Sequence, residues 1–455
     1  MSTEATEPEA SPSSERGFEP AQAVAALEAE LAATPRRSRP GEHAAAAYRL
    51  GMAYAETPAS GGENLSRALA CYGVASSIFD PRSEPVAHAR VLNAAGAAHR
   101  LLGDRSSALS AFERAASLFE GRGRDEERAA ALNNLGLIRT EAGQLGPARD
   151  AFDEALRLFS ADSPEGRRGR LATLHNRGLA HAATGTVDGL ELAVADYRAA
   201  LEGLDTQEAP YHHGLVLSSL GIAATTLAQI RPEQRDEHLR EAQGAFAESL
   251  TVFTRSDFPY QHALTKHNQG LANVGLGTAQ DLRRALACFD DALAVLDPRL
   301  HAEAWRQAYA HLASVEARLA AEAPGATRAD HFATMVVSCE DEERTALLRE
   351  RLFGLLALPG ERRVAALAEW AQAVVRLGRE RARRVIETEL EVLVLVPNEA
   401  LEAVLRAHIE AHRQLGEADK ENADRALDDA VGWVLNGPQR VFVRDFLYSL
   451  GFVRP

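Results

Sequence analysis

The chain has 455 residues, with 48 arginines but only two lysines, three cysteines and a formal net charge of −15. This acidic balance lacks the basic face that displaces counterions from nucleic acid, and three scattered cysteines make neither a disulfide framework nor a four-thiolate zinc site. The most apolar run, Val392 to Val396, is far shorter than the roughly 18 residues of a membrane span. The first sixteen residues, MSTEATEPEASPSSER, have neither the basic start nor the apolar centre of a signal peptide, so a cytoplasmic protein is expected. Residues 1–16 are rich in Ser, Glu and Pro and are expected to be disordered. Residues 18–34 read as a helix that precedes or caps the first helical hairpin.

From about residue 40 to 320 two short patterns alternate. The first ends in glycine: YRLG at Gly51, NAAG at Gly96, NNLG at Gly136, HNRG at Gly178, SSLG at Gly221 and HNQG at Gly270. The second is A-x-x-x-[FY]-x-x-[AS], as in Ala108/Phe112/Ala115 and Ala148/Phe152/Ala155. Offsets of four and seven put its three residues on one helical face. The implied unit is a hairpin in which the glycine of helix A makes room for the aromatic of helix B. One such hairpin cannot bury its own apolar face, so hairpins must stack. Cys71 and Cys288 occupy the same repeat position beside the aromatic, which points to packing and not to a catalytic thiol. The segment 301–321, with Trp305 and Tyr309 one helical turn apart, is expected to close the array.

These residues resemble the tetratricopeptide repeat family, whose unit carries an early L-G, a central Ala and an aromatic four residues further on. The segment FPYQHALTKHNQG with its GTAQDL insertion is similar to the longer-unit arrays common in bacterial signalling and regulatory proteins. The resemblance, which covers roughly residues 40 to 320, implies a right-handed α-solenoid of about six helical hairpins; with a C-terminal helical module that resembles no recognised family, the expected fold is all-α. Composition and period divide the chain into a tail (1–16), a solenoid with its flanking helices (17–324) and the C-terminal module (325–455).

A composition break, APGATRAD, marks the end of the array near 322–330. Beyond it LLALPGERRVAALAEWAQAVVRLG (355–378) aligns, at a shift of 38, with LVLVPNEALEAVLRAHIEAHRQLG (393–416). Proline near the start and glycine at the end of each are helix boundary signals. The run LEVLVLVP is expected to be a buried helix end, because a lone strand would have no partner.

Catalytic patterns are missing from the sequence. No phosphate-binding G-x-x-x-x-G-K-[ST] loop and no G-x-S-x-G elbow occurs. His408 and His412 have the spacing for a shared metal, but Glu410 sits between them in H-x-E-x-H and points to another face. The stretch Arg376, Arg379, Arg381, Arg383 and Arg384 is interleaved with glutamates, as on a salt-bridged helix. No cofactor, metal or catalytic residue is therefore assigned.

The informative polar residues lie two and three places before each glycine: Asn93, Asn133, Asn134, His175, Asn176, Ser219, His267 and Asn268. In the resembled family helix A lines the concave face, and Asn two before the glycine can hydrogen-bond a bound peptide backbone; Asn134, Asn176 and Asn268 match that position. Ala94 and Ser219 depart from it, and the basic residues of the family's carboxylate clamp are not reproduced as a set. The same amides could instead bond the backbone of the neighbouring repeat. The expected function is a non-catalytic scaffold or adaptor that binds a peptide or protein in the groove. An assembly or maturation factor for a multi-subunit enzyme or signalling complex is the alternative. Self-association is left open.

Overall fold

In the computed structural model the described residues are 20–57, 62–204, 206, 209–322, 325–393 and 398–413, with scattered positions from 420 to 446. The expected disordered tail, 1–16, lies outside them. The chain divides into two compact units, Met1–Val252 and Phe253–Pro455. No strand occurs among the described residues.

The first unit begins with α1 (Pro20–Ala33). Five hairpins follow: α2 (Pro40–Glu56) with α3 (Glu63–Ser76), α4 (Pro85–Leu101) with α5 (Arg105–Phe119), and α6 (Asp125–Glu141) with α7 (Leu145–Leu158). The fourth and fifth pair α8 (Pro164–Ala182) with α9 (Val187–Gly203) and α10 (Pro210–Ile230) with α11 (Arg235–Val252). Even-numbered helices are the A-helices. Each packs on the B-helix that follows it, and each B-helix from α3 to α9 packs on the next A-helix.

Local chemistry sets these boundaries. Proline opens α2, α4, α8 and α10, where its fixed φ suits the first turn and its missing N–H is no loss. Gly103 closes α4 at φ +79°, a left-handed conformation that favours glycine, and Asp104 N–H then donates to His99 O (2.9 Å). The Asp104 carboxylate in turn accepts from Ser107 N–H (3.1 Å) and caps α5, so two residues end one helix and start the next.

Inside each hairpin the glycine and the aromatic touch. A Cβ placed on Gly136 would lie 2.5 Å from Phe152 Cε1, and one on Gly96 2.7 Å from Phe112 Cε1. Gly51 with Tyr72, Gly178 with Tyr197 and Gly221 with Phe246 repeat the contact. Phe112 and Phe152 are fully buried. Helix α10 is long and apolar enough by composition to cross a membrane, a feature the sequence expectation overlooked. Its Val216, Leu217, Leu220 and Leu227 are buried in the repeat core instead.

The second unit opens with α12 (Pro259–Leu276) and α13 (Ala279–Leu293), a sixth hairpin in which Gly270 meets Phe289. Helix α14 (Ala302–Glu322) packs on α13, and its Trp305 and Tyr309 rings lie nearly parallel, 5.1 Å apart. Five further helices are described: α15 (Arg328–Val337), α16 (Asp341–Leu356), α17 (Gly360–Arg376), α18 (Arg379–Leu393) and α19 (Asn398–Arg413). They enclose a core built on Met335, Leu348, Leu352, Trp370, Val374 and Val385. The starts of α17 and α19 are separated by the internal shift of 38, and the two helices pack together. Leu390, Val392 and Leu393 form a buried helix end, while 394–397 lie outside the described residues.

The composition break at 322–330 falls inside this second unit. Across it α13 packs on α15, Arg328 pairs with Asp290 (3.0 Å), and Gln280 donates to Met335 O (3.2 Å).

Candidate functional site

Three positions of each A-helix share one exposed face: six and two residues before the glycine, and one after it. Steps of four and three along a helix keep side chains within one narrow arc. In α6, α8 and α10 the first row is Ala130, Ala172 and Leu215, all half-buried. The second is Asn134, Asn176 and Ser219, also half-buried. The third is Leu137, Leu179 and Ile222; Leu179 is 37% and Ile222 40% exposed. None of the nine is ionisable.

The polar residues bond one another by a register rule. Asn134 Nδ2 donates to Asn93 Oδ1 (3.1 Å), and Asn176 Nδ2 donates to Asn133 Oδ1 (3.0 Å). His175 Nε2 pairs with Ser219 Oγ (3.0 Å). In every case the residue three before one glycine meets the residue two before the next. Of the two roles open to these side chains, bonding the neighbouring repeat is therefore realised, through side chains instead of backbone. Each amide can form up to four hydrogen bonds, so one such bond leaves capacity for a ligand.

The rule extends to the second unit. His267 Nε2 lies 2.9 Å from His311 Nδ1, and the two rings stack with centroids 5.1 Å apart against Phe289. His311 thus occupies the ladder position in α14. Asn268, one residue on from His267, is half-buried on α12. Burial pushes His267 down to about 4, with His311 adding to the effect. His175 is likewise pushed down to about 4 by burial and by His212. Both imidazoles are neutral near pH 7.

Lys266 is not a free groove cation. It is buried and binds Glu350 (2.8 Å) and Asp291 (3.2 Å). Burial opposes its charge, but the two carboxylates more than offset this and raise it. Burial alone would also raise Glu350; the His262 imidazole and the Lys266 ammonium hold it at about 2. The arginine stretch is salt-bridged: Arg376 to Asp330, Arg379 to Asp429, and Arg383 to Glu380 and Glu387. Cys288 is buried, which pushes its thiol up to about 12, and Cys71 is half-buried and also raised by burial, so neither is a reactive thiolate. The His408 and His412 side chains lie outside the described residues.

Two features escaped the sequence reading. One is the aliphatic row after the glycines. The other is a P-x-x-H signature at A-helix starts, whose imidazole caps the end of the preceding segment. His43 Nδ1 lies 2.7 Å from Thr34 O, His88 Nδ1 2.8 Å from Phe79 O, and His262 Nδ1 2.9 Å from Phe253 O. Each pair is nine residues apart, a fixed spacing that could have been read from the sequence.

Residues 87–161 match the family model described as tetratricopeptide repeat. That stretch of the chain is tetratricopeptide repeat sequence. The solved structures it is similar to include a Rap protein complexed with competence and sporulation factor, at 15% identity and a TM-score of 0.40, covering 66% of this chain and 80% of that one. The P58(IPK) TPR domain is 15% identical with a TM-score of 0.26, covering 89% and 96% of the two chains. Yeast Tom70 is 11% identical with a TM-score of 0.21, covering 90% and 95%. No curated protein matches the chain. Tetratricopeptide arrays serve in general as scaffolds for protein–protein interaction, and such proteins are typically non-catalytic.

Proposed function

We propose that this chain is a non-catalytic scaffold or adaptor that holds a peptide or protein partner on the shared face of its A-helices. The observation that carries the reading is the pairing of exposed Leu179 and Ile222 with the half-exposed amide ladder at Asn134 and Asn176. Aliphatic side chains left in water gain by being covered, and amides beside them supply orientation. The face is preformed by the stacked hairpins, so a ligand does not have to order it.

The test is affinity capture with the intact chain and with a variant carrying Leu179→Glu and Ile222→Glu, the captured proteins being identified by mass spectrometry. The charged variant is expected to lose its partner while unfolding at an unchanged midpoint, because both side chains project from the core. Capture of the same partner at the same level would place the interaction on another surface.

A further inference from the structure

We propose that the outer face of α14 docks a second copy of this chain, the two α14 helices packing antiparallel about a two-fold axis. The first observation is a missing partner. His311 fills the ladder position two before a repeat glycine, so Ala313 stands where that glycine would be. Inside the hairpins the glycine and the residue four before it face helix B. All six glycines are buried, and so are Ala47, Leu92, Leu132, Leu174, Leu217 and Lys266 at the second position. In α14 the same two positions are Ala313, which is exposed, and Tyr309, which is 49% exposed. Leu312, Val315 and Leu319 on the inner side are buried against the sixth hairpin. An A-like helix is thus packed on its predecessor, while no helix among the described residues takes the place of its B-helix.

The second observation is that this face is complementary to itself. The B-facing positions lie seven and four before the glycine site, at it, and three after it. That set maps onto itself when a helix is turned end for end. In α14 it reads Arg306, Tyr309, Ala313 and Glu316. Antiparallel pairing about His311 sets Tyr309 of each copy opposite Ala313 of the other, and Arg306 opposite Glu316, so every contact is made twice. An aromatic against a small residue is the device that closes each hairpin, as Phe152 does on Gly136. The Tyr309 ring already stacks on Trp305 at 5.1 Å, which lowers the entropy lost when it is covered. Ala310 and Ala317 beside the row are exposed and have no long side chain to hold a second helix away. Arg306 bonds Glu303 (2.5 Å) and Glu316 bonds Arg328, but a guanidinium has five donors and a carboxylate about four acceptor sites, so the new pairs add to these. Such exposed pairs contribute little affinity. They set orientation instead, since a parallel pairing would bring Arg306 onto Arg306 and Glu316 onto Glu316. One face of a 21-residue helix, about 31 Å long, falls below the area of a tight interface, so the dimer is weak.

Sedimentation equilibrium of the full-length chain tests this. The weight-average mass should rise from one chain toward two across roughly 1–300 µM, the range of a weak dimer. Ala313→Arg should raise the dissociation constant at least about tenfold with an unchanged unfolding midpoint, and Tyr309→Ser serves if the arginine disturbs folding. Leu179→Glu with Ile222→Glu, which lies in the first unit, should leave the dimer unchanged, so this proposal and the ligand face fail separately. Orientation is read by oxidation: an equimolar mixture of Tyr309→Cys and Ala313→Cys chains should cross-link in higher yield than either chain alone. A chain that stays monomeric throughout, a dimer indifferent to both substitutions on α14, or cross-links that favour like positions overturns the proposal.

Discussion

Gly136 and Phe152 make the smallest testable unit of the fold. The ring occupies the space that a side chain on the glycine would need, at a separation of 2.5 Å from a hypothetical Cβ. Gly136→Ala should therefore cost about 1–3 kcal/mol by overpacking, although alanine is the better helix former. Phe152→Ala should cost about 3–5 kcal/mol, because the ring is fully buried. Urea unfolding of both single variants and of the double variant is the check. The double should cost less than the sum, since the alanine at 136 then has the vacated ring volume to enter. The imidazoles carry a second expectation at this scale. His175 and His267 sit at about 4 in the folded chain against an ordinary value of 6.5. The unfolded chain thus binds more protons between these values, and stability rises with pH across that window. The contribution is complete above about 6.5 and is lost as the pH falls toward 4. Melting temperatures recorded from pH 7.5 to 4.5 should fall, and His267→Gln should flatten part of the decline.

Between elements, the ladder couples α4 to α6, α6 to α8, and α8 to α10. Asn133 and Asn176 share one hydrogen bond, so removing either should cost about 0.5–1.5 kcal/mol and removing both should add little more. A double-mutant cycle on unfolding free energy measures that coupling. Additive losses would mean that each amide is held by other partners. From α4 to α10 the register is constant: the polar residue three before one repeat glycine meets the polar residue two before the next. His267 and His311 obey it although α14 has no glycine pattern, which identifies α14 as a further A-like helix after the sixth hairpin.

For the whole molecule, the segment at 322–330 tests how the second unit holds together. Within that unit the helices on either side of it are tied by Lys266 to Glu350, Arg284 to Glu343 and Arg328 to Asp290. Limited proteolysis that cuts in 322–330 should therefore leave two pieces that elute together from a sizing column. Separation of the pieces would show that these ties contribute little. Glu350→Ala should cost about 1–3 kcal/mol, because it leaves the buried Lys266 ammonium with Asp291 alone; the remaining partner keeps the loss below that of a fully orphaned charge. Thermal unfolding of the variant measures this.

The repeat architecture was legible from the sequence, because each glycine and aromatic pair is a local steric device copied six times, and copies reveal themselves by spacing. The packing positions of Cys71, half-buried, and Cys288, buried, followed from the same alignment. Leu179, Ile222 and Ser219 are different. Their positions recur, but whether a helical residue faces water or a neighbouring hairpin depends on where the next hairpin stacks, which no single unit encodes. The Asn93, Asn133, Asn134 and Asn176 side chains could equally have pointed at a ligand or at each other until the A-helices were brought side by side. Lys266 shows the same limit most clearly. Its two carboxylate partners lie 25 and 84 residues away, and only the tertiary approach of Glu350 on α16 and Asp291 on α13 decided that this lysine is a buried counter-ion and not a groove cation.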